Sequence, residues 1–300
     1  MKAGIEAREA RLAWMFVLPA VGTILLIAVF PLCWSLWESV HLHDLRMPWR
    51  GQPFIGLANY GEALVEARFW EALQHTLVFT VISVILELAL GLVLALVLHH
   101  ASRGRGLVRT AALVSWAMPT AVAALVWRFL FDSPAGIVDA ILMKVGATEA
   151  PFVWFIDPVL VWVPVIVADV WKTTPFVALL FLASLQNIDP SLYEAARVDG
   201  ASPWQQFLHL TFPLLQSAAL VALIFRTLDA FRVFDLIYVM TSGGPGTATE
   251  PLALYTFSAL FNNLRFGYGA ALAVGIFVVT GTLALLYLRI LGREVIGSSS

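Results

Sequence analysis

Six apolar runs, each long enough for the ~20 helical residues that cross a bilayer core, constrain this chain more than any other feature. They lie at Leu12–Trp37, Thr76–Leu98, Leu107–Phe131, Val159–Leu185, Phe212–Ile237 and Tyr268–Leu288. In hydrocarbon every backbone N–H and C=O must be paired within the protein, so such runs form helices or barrel strands. Barrel strands would be ~10 residues long with strict in-out alternation. These runs are apolar on all sides, which leaves helices. Charged residues are only 13 % of the 300 and hydrophobic ones 60 %, whereas a soluble domain carries about 25 % charged residues. The prediction is an all-α membrane protein with six transmembrane helices.

Other classes are excluded on the same grounds. Eighteen Lys+Arg against 20 Asp+Glu leave no basic footprint for nucleic acid. Cys33 is the one cysteine, which excludes a disulfide framework and a Cys-based zinc site. His99 and His100 are adjacent and fall on different helix faces, so no metal site is expected. The sequence has no G-x-x-x-x-G-K-[ST], no G-x-S-x-G and no H-E-x-x-H. It is therefore read as non-enzymatic, with no catalytic residue and no cofactor of its own. The first run exceeds the 7–15 residues of a signal-peptide core, and Leu32 is too large for a lipoprotein-type cut before Cys33, so a retained helix is expected.

Lys and Arg near the runs orient the chain. One side would hold Lys2, Arg8, Arg11, Arg103, Arg105, Arg109, Arg197, Arg289 and Arg293, the other Arg46, Arg50, Arg68, Lys144 and Arg265. That bias places both termini in the cytoplasm. Residues 1–11 form a cytoplasmic segment, 12–292 the membrane domain and 293–300 a tail. The segments His41–Glu71 and Ser242–Asn263 face outward, as folded caps or as ordinary loops; the second opens on the turn signal Gly243-Gly244-Pro245-Gly246.

Ionisable residues inside the runs are costly, at least ~2.5–3.5 kcal/mol each on insertion scales, and so are functional candidates. Asp169 and Lys172 stand at i, i+3 and are expected to pair, with Thr173 beside them. Arg226 and Asp229 repeat that spacing, with Val233 on the same face. Glu87 and Arg128 are expected to pair between neighbouring helices. Structural ion pairs and substrate contacts are both open readings. Pro119, Pro164 and Pro175 are expected to kink or break their helices.

The link at 187–211 carries its own structure. Ser191 and Glu194 fit a capping box, with Asp189-Pro190 as an alternative start. Gly200 sits where a helix stops in the left-handed region. Ser202-Pro203 opens a second helix as N-cap and first residue. Tyr193, Trp204 and Phe207 give this helix–Gly–helix elbow more aromatic surface than a connector needs. It either lies on the membrane or docks a cytoplasmic partner.

Glu194-Ala195-Ala196, Gly200 and Pro213 resemble the EAA loop of binding-protein-dependent ABC import permeases. Phe54-Ile55-Gly56-Leu57-Ala58-Asn59-Tyr60, Trp171-Lys172-Thr173-Thr174-Pro175-Phe176, and Phe231-Arg232-Val233-Phe234-Asp235 followed by Thr241-Ser242-Gly243-Gly244-Pro245 are similar to the maltose/trehalose-type sugar branch. The likeness spans about residues 10–292. Leu210 and Phe212 replace a usual Ile and Leu, and Ser217 a common proline. The resemblance implies a maltose-permease-like transmembrane domain in a bacterial or archaeal cytoplasmic membrane. It also implies its partners: a second homologous permease, two ATPase subunits that hold ATP and Mg, and an extracytoplasmic sugar-binding protein. It assigns ATPase coupling to Glu194, Ala195, Ala196, Asp199 and Gly200. It assigns sugar contact to Asp169, Lys172, Thr173, Phe176, Arg226, Asp229 and Val233, with trehalose- or maltose-like cargo. Another cargo such as a glycerol phosphodiester stays open because Arg226 could serve an anion. A self-contained secondary transporter is the alternative; no inverted repeat supports it, and such a carrier needs no elbow.

Overall fold

The computed structural model describes residues 14–100, 105–132 and 136–297. The N-terminal segment 1–11 and part of the basic link after His100 lie outside the described residues. The described chain is helical; its only strand-like pairings are two isolated bridges, His41 with Phe54 and Asp44 with Arg265. It divides into two compact units, residues 14–66 with 256–277 and residues 67–255 with 278–297.

In the first unit, α1 (Trp14–Ser39) is a continuous apolar helix of 26 residues. It includes a π-turn at Leu25–Val29. A loop with a 3-10 turn at Pro48–Arg50 leads to α2 (Ala58–Val65). The physical role of the segment Phe54–Tyr60 is visible here. Gly56 adopts φ +60, and Asn59 Nδ2 donates to Ser39 O (2.8 Å) and His41 O (3.1 Å). Tyr60 OH donates to Ser39 Oγ at 2.7 Å. The Asn59 bonds satisfy the Ser39 carbonyl, which the helix end leaves open, and the His41 carbonyl just beyond it. They make the segment a folded cap rather than a loose loop.

The second unit is built on α3 (Ala67–His100) and α7 (Trp162–Gln186). They pack through small residues, as membrane helices do where no hydrophobic force drives association. A Cβ on Gly91 would sit 2.6 Å from Val177 Cγ1 and 2.8 Å from its Cβ. Ala95 and Ala178 are wholly buried beside it, in one cluster with Leu98, Phe181, Leu182 and Leu185. Val177 is β-branched and stiff at χ1, so it cannot turn away. Gly91→Ala is therefore expected to destabilise the protein by about 1–3 kcal/mol, read as a lower melting temperature of the detergent-purified protein. An unchanged melting temperature would show that the two helices are not in register at this point.

The six expected runs do not all become straight spans. Four helices are long and apolar enough to cross a membrane: α1, α3, α7 and α13 (Phe266–Gly297). The third run is broken at Pro119 into α4 (Arg105–Ala117) and α5 (Thr120–Leu130). Pro119 adopts an extended ψ of 133, and its carbonyl accepts from Val122 and Ala123 to start α5. Pro164 instead falls in the first turn of α7, where its missing N–H is no loss, and Pro175 lies inside the unbroken helix. The fifth run is a bent pair, α9 (Pro203–Leu214) and α10 (Gln216–Ala230), crossing at 60°. The expectation of a span reaching Ile237 is corrected: α10 stops at Ala230, and α11 (Asp235–Met240) begins afresh. The reason is the charge on this stretch, since Arg232 and Asp235 turn toward a polar cavity instead of lipid. Short helices α6 (Ile137–Lys144), α8 (Pro190–Val198) and α12 (Leu252–Asn262) complete the described elements.

Candidate functional site

Three helices bring their charged residues to one point. Glu87 on α3 is fully buried at 0 % exposure, and Arg226 on α10 is 3 % exposed. Arg226 Nε donates to Glu87 Oε2, and Nη2 donates to Glu87 Oε1 at 2.7 Å. Nη1 donates to Asp229 Oδ2 at 2.6 Å, and Nη2 also faces Asp169 Oδ2 at 3.3 Å. Thr173 Oγ1 reaches Glu87 Oε1 at 2.6 Å and the Asp169 carbonyl at 2.7 Å. One guanidinium thus ties α3, α7 and α10 together through three carboxylates. A buried charge is tolerable only when so paired, because its desolvation otherwise costs several kcal/mol.

Beside this cluster lies a cavity of about 200 Å³. Asp169, Lys172, Thr173, Arg226, Asp229 and Val233 all line it. Thr120, Arg232, Phe234 and Asp235 line it too. Two expected ion pairs are corrected. Asp169 pairs with Arg226 and not with Lys172, whose ammonium has no ion pair among the described residues. Glu87 pairs with Arg226 and not with Arg128, which donates to the Val239 carbonyl at 3.3 Å. Phe176 is absent from the cavity wall; it stacks on Trp116 at 5.6 Å and meets Phe225 edge-on. Two helical turns from Asp169, it is ~10 Å further along α7. Sequence reasoning singled out Glu87 but gave it the wrong partner, and it did not place Thr120, Arg232, Phe234 or Asp235 at this site. The signal of Glu87 was an isolated carboxylate in an otherwise apolar span.

The elbow forms at 187–211. Asp189 is the N-cap of α8 and accepts from Ser191 N at 2.9 Å, with Pro190 as first residue. The alternative start is thus the one used, and the Ser191–Glu194 box is not. That bond holds the Asp189 carboxyl below the ordinary Asp value. Gly200 has φ +78, and Ala201 N donates back to Ala196 O at 2.9 Å, closing the C-terminus of α8. Ser202 and Gln205 form a full capping box on α9. Glu194, Ala195, Asp199 and Gly200 are exposed, and Ala196 is half-buried. Ala196, Asp199 and Gly200 line a surface cavity of about 360 Å³ with Gln205 and His209. Val198 and Trp204 stand exposed on the same elbow, at 87 % and 67 %.

Residues 87–296 match the family model described as the binding-protein-dependent transport system inner membrane component. The chain belongs to this family. This transport component is 40 % identical over 286 residues to the trehalose/maltose transport system permease protein MalF of Thermococcus litoralis, covering 95 % of both chains. It is 38 % identical to the trehalose transport system permease protein SugA of Mycobacterium tuberculosis, covering 99 % of this chain and 94 % of that one. Its fold matches a subunit of a bacterial ABC transporter involved in the import of the acidic polysaccharide alginate, with a TM-score of 0.84. That match is 20 % identical in sequence and covers 98 % of this chain and 99 % of the other. The fold is that of an ABC transporter transmembrane domain, as expected, and the chain is a multi-pass inner membrane protein.

Proposed function

We propose that this permease subunit serves an ATP-driven ABC importer whose cargo is a di- or oligosaccharide of the trehalose/maltose kind. The cavity beside Arg226 carries that reading. Six charged side chains line it: Asp169, Lys172, Arg226, Asp229, Arg232 and Asp235. A sugar offers hydroxyls in all directions. Asp169 and Asp229 can accept from them, Lys172 can donate, and Val233 supplies apolar contact. Relatives at 40 % and 38 % identity bear names of trehalose/maltose and trehalose permeases, which supports this cargo. At about 200 Å³ the cavity is smaller than ordinary ligand sites, which run ~300–1,000 Å³. A half-site completed by a second homologous permease accounts for that.

Energy enters through a contact, because the sequence has no phosphate cradle. In this reading the elbow meets an ATPase subunit, with Glu194, Ala195, Ala196, Asp199 and Gly200 at the contact, and ATP and Mg bound in that partner. The exposed Val198 and Trp204 give the contact apolar anchors of the kind that dominate interfaces. Both termini and the elbow then face the cytoplasm. An extracytoplasmic binding protein delivers cargo to the opposite face.

The test is made on the complete complex in liposomes, with ATP hydrolysis and uptake measured across a sugar panel. Trehalose or maltose, loaded on the binding protein, is expected to stimulate hydrolysis. Asp229→Ala is expected to lower uptake about tenfold or more, the loss of one charged hydrogen bond to cargo. Stimulation only by a solute that is not a sugar would overturn the cargo reading.

A further inference from the structure

Arg226 is the cation that an anionic cargo would meet deepest in the cavity, yet each of its three nitrogens already donates to a carboxylate. Nε and Nη2 go to Glu87, and Nη1 goes to Asp229 at 2.6 Å. Glu87 does not line the cavity, and at 0 % exposure it cannot touch cargo there. Its influence on cargo runs through Arg226. Thr173 Oγ1, 2.6 Å from Glu87 Oε1, holds the carboxylate in place. The charges around the cavity are Glu87, Asp169, Asp229 and Asp235 against Lys172, Arg226 and Arg232, a surplus of one carboxylate.

We infer that Glu87 is a specificity-determining residue: by claiming Arg226, it makes the cavity favour uncharged sugars over anionic ones. The inference rests on the sugar-site reading above. An anionic sugar gains nothing from a guanidinium that is already neutralised. To pair with Arg226 it must displace Asp229 from Nη1 or Glu87 from Nε and Nη2, and a displaced Glu87 carboxylate would be buried without a partner. It must also approach Asp169 and Asp229 against like charge. An uncharged sugar meets neither obstacle. Its hydroxyls donate to the free lone pairs of Asp169 and Asp229 and accept from Lys172.

The test is saturation-transfer NMR on the detergent-purified complex without its binding protein, so that only the membrane site selects. The probes are equimolar trehalose and a disaccharide with glucuronic acid in place of one glucose. In wild type the trehalose signal should dominate. Glu87→Gln keeps the size and one acceptor but drops the charge, freeing part of Arg226. The acid-to-neutral signal ratio is expected to rise about tenfold or more, the scale of one hydrogen bond to a charged group. Glu87→Asp should keep the wild-type ratio. A merely structural Glu87 would lower both signals together and leave the ratio unchanged, which overturns the inference alone. If neither sugar binds wild type, the sugar-site reading fails and takes the inference with it. Should Glu87→Gln not assemble, Asp229→Asn releases Nη1 from a residue whose side chain is 58 % exposed. An unchanged ratio in that variant also overturns the inference.

Discussion

Arg226→Ala is expected to abolish transport and to lower the melting temperature of the detergent-purified protein sharply. The substitution leaves Glu87, at 0 % exposure, and Asp169 as neighbouring carboxylates without a cation. Removing one partner from a buried ion pair costs about 3–5 kcal/mol, because the other charge stays buried and unpaired. The helices held by that charge are α3, α7 and α10, the frame of the second unit. Arg226→Lys should rescue poorly. An ammonium is a point donor and cannot span Glu87, Asp229 and Asp169 as the planar guanidinium does. The double variant Arg226→Ala with Glu87→Gln should recover part of the lost stability but no transport, since it removes the stranded charge without restoring the cavity. Thermal unfolding followed by tryptophan fluorescence gives the stabilities, and uptake in liposomes gives the function. A melting temperature unchanged in Arg226→Ala would contradict the buried cluster.

Gly200→Pro is expected to uncouple the complex while leaving the helix frame intact. Gly200 stands at φ +78, and proline is fixed near −65°. The substitution also removes the N–H that Gly200 donates to Arg197 O at 3.1 Å. The elbow must then change direction between α8 and α9. Gly200→Ala separates conformation from space. No atom lies within 4 Å of where its Cβ would stand, so the methyl fits and only the left-handed backbone is strained. That strain is about 1–2 kcal/mol, which should leave a slower but working transporter. Cargo-stimulated ATP hydrolysis is the deciding measurement. Normal stimulation in Gly200→Pro, with a normal melting temperature, would show that the elbow does not carry the coupling.

Much of the elbow was legible in the sequence because its signals are local. Ser202-Pro203 and Gly200 each act on backbone groups within four residues, so the helix–Gly–helix form follows from the residues themselves. Even there, two starts competed, and Asp189 won over Ser191 because Pro190 fits the first helical position and leaves Ser191 N to be capped. The ion pairs were less legible. The i, i+3 rule matched Arg226 with Asp229 correctly, since both lie on one helix. It failed for Asp169 and Lys172, because a better partner arrived from another helix. Glu87 shows the same limit. A buried carboxylate in a span demands a cation, but spacing alone does not say which helix supplies it.

The amino-acid order by itself determined the membrane class, the helical state of the runs and the elbow at Gly200. These follow from hydropathy, from backbone hydrogen bonding in hydrocarbon and from cap chemistry, all short-range along the chain. The tertiary structure alone decided that Arg226 collects Glu87, Asp169 and Asp229, that Phe176 turns to Trp116, and that the fifth run stops at Ala230. Those outcomes depend on which helix faces meet. A charge in a low-dielectric interior takes the partner that packing brings within ~3 Å, however far away that partner lies in sequence.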